Sequence, residues 1–263
     1  MPCAFGAEKT SCPPMFEPLS LGDCVRIGAF ATAVALIWVL TGIAKSRGWG
    51  REGDMRKLNH MAAFGGGAMV FGWLPEPVAR SNLYALGAIL VLLVALVCRF
   101  QDRVPFSYAF AANTRTSDAP HEAFYFWSSW LISLFALAVM DFLFQQVAVT
   151  RMAVLIVGIA DGLAEPIGRR YGRHCYRVAL GRGQARCRSF EGSAAVLTAT
   201  LAVMLMGTTP SQLGLSGWVL AALATAFVVS AVEAMSPRGT DNFTVQLASA
   251  GLYRAFQCLM CVA

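Results

Sequence analysis

The chain is predicted to be an all-α, polytopic membrane protein with about eight spanning helices. Three observations carry the prediction. Charged residues make up 14% of the 263 residues and hydrophobic ones 57%, against about 25% charged in an average soluble chain. A soluble domain of this size could not cover itself with so little charge, and the same figures exclude disorder and fibrous architectures. The apolar residues gather into stretches near the roughly 20 residues a spanning helix needs. The basic residues alternate between successive loops, as the preference of Lys and Arg for the cytoplasmic side requires.

The stretches run over 26–44, 58–74, 82–98, 124–144, 147–159, 192–206, 215–234 and 243–261. Residues 1–25 form an N-terminal tail that is no signal peptide. It holds Glu8, Glu17 and Asp23, lacks a basic start, and precedes too long an apolar run. Residues 26–263 then form one integral-membrane domain. The second stretch contains Gly65, Gly66 and Gly67, and such small residues let membrane helices approach closely. The third and fourth are plain spanning segments. The fifth and sixth are short, as segments are whose ends are broken or line a cavity.

Between them, the loops near 45–57, 99–123, 160–192 and 236–242 are expected on the cytoplasmic side. The first carries Lys45, Arg47, Arg51, Arg56 and Lys57, and the second Arg99, Arg103 and Arg115. The third carries Arg169, Arg170, Arg173, Arg177, Arg182, Arg186 and Arg188, and the last Arg238. The intervening turns hold only Arg80 and Arg151. Both termini are therefore expected outside, with Arg26 against the trend. The net charge of +6 follows from this bias and serves membrane lipid headgroups or an anionic substrate. No nucleic-acid motif or basic–aromatic interleaving is present, so no nucleic-acid partner is expected.

Carboxylates near membrane depth are costly and are functional candidates by default. Asp161, Glu165, Glu191, Glu233 and Asp241 all fall at segment ends or in the basic loops. Arg56, Lys57 and His60 fall on the same side. Four sequence-distant clusters are thus expected to converge on one face of the membrane. The densest runs from Asp161 to His174. Pro166 is expected to interrupt a helix there, leaving exposed N–H groups around Gly162, Gly168 and Gly172 that would suit phosphate oxygens. Asp161 and Glu165 could hold Mg²⁺, which takes one or two carboxylates plus substrate phosphates. Carboxylates beside arginines and glycines are what phosphoryl transfer needs.

Plainer readings exist. Gly168 and Gly172 could pack helices, Glu191 could favour a helix N-terminus, Asn242 could cap the last helix, and 236–239 could be only a turn. Asp141 sits near the outer end of the fourth segment, where hydration excuses it. Cys258 and Cys261 form a lone C-x-x-C with no second ligand pair, read as packing. His174, Cys175 and Cys187 fit no zinc spacing. There is no phosphate-binding G-x-x-x-x-G-K-[ST] loop and no protein-kinase glycine loop.

At these residues the chain resembles the CTP-dependent lipid kinases, which include dolichol, phytol and farnesol kinases and the fungal CTP-using diacylglycerol kinase. That family is related in style to phosphatidate cytidylyltransferases. Its D-x-x-A-x-x-x-G-x-x-x-G pattern is matched by Asp161, Ala164, Gly168 and Gly172. Its K-S-x-E-G-[ST] stretch is matched at 188–193, with Arg188 for Lys. An R-K-x-x-H motif is matched by Arg56, Lys57 and His60, and V-E-A followed by D-N by Val232, Glu233, Ala234, Asp241 and Asn242. Gln246 stands where Pro is usual. The resemblance covers roughly 55–250.

It implies that Asp161, Asp241 and Glu191 act in catalysis. Arg56, Lys57, Ala164, Gly168, Gly172, Arg177, Arg188, Gly192 and Asn242 would contact the nucleotide, and Asp161, Glu191 and Glu233 would hold Mg²⁺. The implied activity is transfer of the γ-phosphate of CTP to a lipid alcohol, a polyprenol, phytol or diacylglycerol. Two alternatives remain open at this point: a cytidylyltransferase acting on a lipid phosphate, and a non-enzymatic transporter or lipid-binding protein.

Overall fold

The computed structural model describes residues 17–72, 74–178, 186–208, 214–236 and 240–262. Each of the eight predicted stretches is built around a helix. Helix α1 (Leu21–Ser46) begins earlier than the apolar run because a capping box starts it. Asp23 N donates to Ser20 Oγ at 3.1 Å, and Ser20 N donates to Asp23 Oδ2 at 3.0 Å. Arg26, on the disfavoured side, pairs with Asp23 at 2.8 Å. The second stretch is one continuous rod of α2 (Glu52–His60), a π-helical turn (Met61–Gly65) and α3 (Gly66–Phe71). Then come α4 (Glu76–Arg99), α5 (Phe106–Asn113) and α6 (Glu122–Phe144). The fifth stretch is α7 (Val147–Ile156), a second π-helical turn (Val157–Asp161) and α8 (Gly162–Tyr171). Strands β1 (Cys175–Val178) and β2 (Arg186–Ser189) follow, and α9 (Phe190–Gly207), α10 (Gly214–Met235) and α11 (Asp241–Val262) complete the chain. Among the described residues, six helical spans are long and apolar enough to cross a membrane: Leu21–Ser46, Glu76–Arg99, Glu122–Phe144, Val147–Tyr171, Phe190–Gly207 and Gly214–Met235.

Three features depart from the sequence reading. The all-α expectation misses an antiparallel hairpin, in which Cys175 faces Ser189 and Tyr176 faces Arg188. Its tyrosine hydroxyl lies 2.6 Å from Ser193 Oγ, which fastens the hairpin to α9. The loop 99–123 contains α5, packed so tightly on α1 that a Cβ at Gly42 would meet the Tyr108 backbone, its Cα at 2.8 Å. Finally, Pro166 does not break the helix. It sits inside α8, so the expected open loop of N–H groups at 162–172 is not formed. An interior proline costs about 3 kcal/mol, but packing overrides local propensity here. Glycines seat α8 on α9, and Glu165 takes three arginines.

The span Val147–Tyr171 is the centre of the bundle. Its apolar window is 72% buried, against 28–39% in the other five. Val149, Met152, Ala153, Ile156, Val157 and Ala160 are all closed off. Between membrane helices such contact is held by close packing, since lipid is as apolar as leucine. The two π-helical turns cross one another at glycines. A Cβ at Gly158 would strike the Gly65 backbone, 2.7 Å from its Cα. A π turn widens a helix and is frequent at functional sites. These two start beside His60 and end at Asp161.

The predicted turn at 237–239, the side chains of Arg182, Arg186 and Cys261, and the tail before residue 17 lie outside the described residues. Asp141, excused above by hydration, is paired with Arg80 at 3.0 Å, at the end of α6 remote from the clusters below.

Candidate active site

Helix α2 is fixed before it presents its basic residues. Asn59 is fully buried. It accepts from Thr41 Oγ1 at 2.9 Å and donates to Asn113 Oδ1 at 3.2 Å, tying α1, α2 and α5 together. On this anchor Lys57 Nζ reaches Asp161 Oδ2 at 2.6 Å, with both side chains 5% exposed. His60 Nε2 lies 3.6 Å from the same carboxylate and 3.3 Å from the Val157 carbonyl oxygen. Its ring stacks on Phe64, which stacks on Trp130.

Glu165, one turn beyond Asp161, is a hub. Its Oε2 accepts from Arg56 Nη2 at 2.6 Å and Arg115 Nη2 at 2.9 Å, and its Oε1 faces Arg169 Nη2 at 2.9 Å. Burial, and the charge of Arg56 beside it, lower the Arg115 guanidinium from its usual value, while Glu165 opposes the shift. Arg188, from β2, pairs with buried Glu233 of α10 at 3.0 Å.

These groups wall a cavity of about 510 Å³, within the roughly 300–1,000 Å³ of small-molecule sites. Four cations (Lys57, Arg115, Arg169, Arg188) and four carboxylates (Asp161, Glu165, Glu233, Asp241) line it, with Ser117, Ser189 and Ser193. A neck of about 140 Å³ adjoins it and shares Arg115, Arg188 and Asp241. An apolar cavity of about 70 Å³ adjoins the neck in turn and shares Phe64 and Trp130. The three cavities thus follow one another through shared walls, with the stacked Phe64–Trp130 pair between the polar neck and the apolar cavity.

Of the predicted residues, Lys57, Asp161, Ala164, Gly168, Arg188, Gly192, Glu233 and Asp241 share the polar cavity. Arg56 borders the neck. Gly168 and Gly192 also pack helices: a Cβ at Gly192 would stand 3.3 Å from Gly168 Cα and 3.1 Å from the Ala164 carbonyl oxygen. Four predicted residues are absent from the cavity wall. Glu191 turns outward, where its Oε1 accepts from the backbone N–H groups of Arg173 (3.1 Å) and His174 (3.3 Å) and lies 2.9 Å from His174 Nδ1. Asn242 Nδ2 donates to Ser129 Oγ (3.2 Å) and Ser133 Oγ (3.0 Å), tying α11 to α6. Gly172 packs against Ser189. Arg177 is exposed on β1.

The expected metal set of Asp161, Glu191 and Glu233 is therefore not assembled. Among the described residues no three His, Cys, Asp or Glu side chains gather as for a metal ion. Asp161 and Glu233 each face one cation, and Glu191 points away. Asp241 lines both polar chambers and makes no ion pair among the described residues.

Over 100 residues the chain is 34% identical to a phytol kinase of Synechocystis sp., a match covering 38% of this chain and 40% of that protein. No protein-family profile matches the chain, and no solved structure matches it. The chain thus spans about two fifths of the length of the relative it matches.

Sequence reasoning missed Arg115, counted only as a topological charge, and Glu165 as the meeting point of three arginines. The signal for Glu165 was present: it lies four residues after Asp161, one turn along the same helix face. Arg115 carried no such signal, because α5 brings it in.

Proposed function

We propose that this chain is an integral-membrane lipid kinase that transfers the γ-phosphate of CTP to the hydroxyl of a lipid alcohol, with Mg²⁺. The observation that carries the reading is a polar cavity lined by four cations, neighboured by a second polar cavity that Asp241 also borders and that shares Phe64 and Trp130 with an apolar one. The similarity to a phytol kinase supports the same class of reaction. CTP as the donor rests on the resemblance of the motifs.

In this reading Lys57, Arg115, Arg169 and Arg188 leave their carboxylate partners to hold the triphosphate. A cation bound by Asp241 and Asp161 would supply charge neutralisation between the phosphates. The acceptor hydroxyl enters through the neck. Its oxygen attacks the γ-phosphorus, the bond from that phosphorus to the β–γ bridging oxygen breaks, and CDP leaves. The hydroxyl proton passes to the Asp241 carboxylate. The arginine forks match the equatorial phosphoryl oxygens, where charge accumulates.

The test is a product assay on purified protein with γ-labelled CTP, Mg²⁺ and a pool of phytol, farnesol, longer polyprenols and diacylglycerol. Label is expected in an organic-soluble lipid phosphate, abolished by Asp241→Asn and by chelation of the metal. Label released as pyrophosphate would replace this reading by a cytidylyltransferase. No Asp241-dependent turnover with any lipid would overturn it.

A further inference from the structure

Helix α11 carries a buried amide without a hydrogen-bond partner among the described residues. Gln246 is fully buried, and neither its Nε2 nor its Oε1 has a hydrogen-bond partner. Buried polar side chains almost always find partners, so an amide with both ends unmatched calls for an explanation. Its location supplies one, for Gln246 borders the apolar cavity otherwise walled by residues such as Phe64, Leu86, Leu90 and Leu137. The other hydrogen-bonding side chain there with a hydroxyl, Ser133, is already engaged: it donates to the Ser129 carbonyl at 2.8 Å and accepts from Asn242.

The amide is also at a defined depth. Gln246 follows Asp241 by five residues of continuous helix, about 7.5 Å further along the axis at 1.5 Å per residue. Asp241 borders the neck and Gln246 the apolar cavity, and these two cavities share Phe64 and Trp130, so a lipid with its hydroxyl at Asp241 and its tail beyond that aromatic pair would place the atoms near its hydroxyl beside Gln246. A plain isoprenoid alcohol has only hydrocarbon there and would leave the amide unmatched. An ester carbonyl would accept from Nε2–H. An amide would do so and also donate to Oε1.

We propose that Gln246 is a specificity-determining residue of the lipid site. It selects a lipid alcohol bearing a carbonyl close to its hydroxyl, an acylglycerol or an N-acyl amino alcohol, over a plain isoprenoid or fatty alcohol. The proposal rests on the lipid-kinase reading for what becomes of the bound lipid, but its test is equilibrium binding, which does not depend on turnover.

The purified full chain in detergent would be titrated with tritiated oleyl alcohol, dioleoylglycerol and N-oleoylsphingosine, as wild type and as Gln246→Leu and Gln246→Met. Wild type is expected to bind at least one carbonyl-bearing lipid about tenfold more tightly than oleyl alcohol, or about 1.4 kcal/mol. Preference for dioleoylglycerol identifies the ester, and preference for N-oleoylsphingosine the amide. Both variants should lose that preference while keeping their affinity for oleyl alcohol. Equal wild-type affinities for all three lipids, or a preference unchanged in a folded variant, would overturn the proposal. If the variants do not fold, the wild-type ratio still decides. Selective binding without phosphate transfer to any lipid would remove the kinase reading and leave the lipid site standing.

Discussion

Replacing Lys57 or Asp161 singly should cost far more than replacing both. The two charges lie 2.6 Å apart with 5% of each side chain exposed. At an effective dielectric constant of about 20 their attraction is on the order of 6 kcal/mol, and desolvation of both groups consumes much of it. Removing one partner leaves the other charge buried and alone, a loss of about 3–5 kcal/mol. Lys57→Met strands the Asp161 carboxylate with only His60 at 3.6 Å. Asp161→Leu strands the ammonium. The double variant Lys57→Met with Asp161→Leu removes both charges at similar volume and should return to within about 1 kcal/mol of wild type, as such replacements often do. The assay is thermal unfolding of the purified protein in detergent, with each single variant melting on the order of 10 °C lower at roughly 2–4 °C per kcal/mol, and the double variant near wild type. Activity should separate from stability, because the double variant stays inactive in the phosphate-transfer assay. Single variants as stable as wild type would refute the buried pair. A double variant with normal turnover would refute a chemical role for either residue.

Three further outcomes follow from the geometry. Gly158→Ala should destabilise by about 1–3 kcal/mol, read as a lowered melting temperature, because its Cβ would meet the Gly65 backbone. Arg188→Lys keeps the charge but loses the fork that reaches Glu233. It should raise the KM for nucleotide on the order of tenfold, the equivalent of one charge-assisted hydrogen bond. The Cys175 thiol is pushed above its ordinary value by its hydrogen bond with Cys187. Its thiolate, and hence its alkylation, should therefore appear only at higher pH, and Cys187→Ala, which removes the partner, should shift the alkylation midpoint, followed by peptide mass spectrometry, to lower pH. An unshifted midpoint would remove that contact.

What was legible in the sequence is what depends on local pattern. Apolar run lengths located the helices, and alternating charge put the acidic clusters and Lys57 at one end of the bundle. Asp161, Lys57, Arg188 and Gly168 meet there in the structure. Partnership was not legible. Nothing local tells Glu165 that Arg115, fifty residues earlier, will reach it on the back of α5. Side-chain direction was not legible either: Glu191 follows Ser189 at a helix start, and only the path of residues 173–174 turns it outward. Pro166 was misread because a proline's local cost was weighed without the packing that outweighs it. The π-helical turns have no composition that marks them. Gln246 was visible as a polar residue in an apolar run, but its unmatched amide is a property of its neighbours.

The ion pairs of the cavity have a consequence for the order in which the chain is made. Lys57, Arg56 and Arg115 precede their partners Asp161 and Glu165 by 104, 109 and 50 residues. During synthesis the basic helices therefore enter the membrane first, and their charges wait for the central span to arrive. The partners of those cations lie on Val147–Tyr171, so the ion pairs of the cavity can form only once the central span is in place, and closing the core and completing the site depend on the same helix.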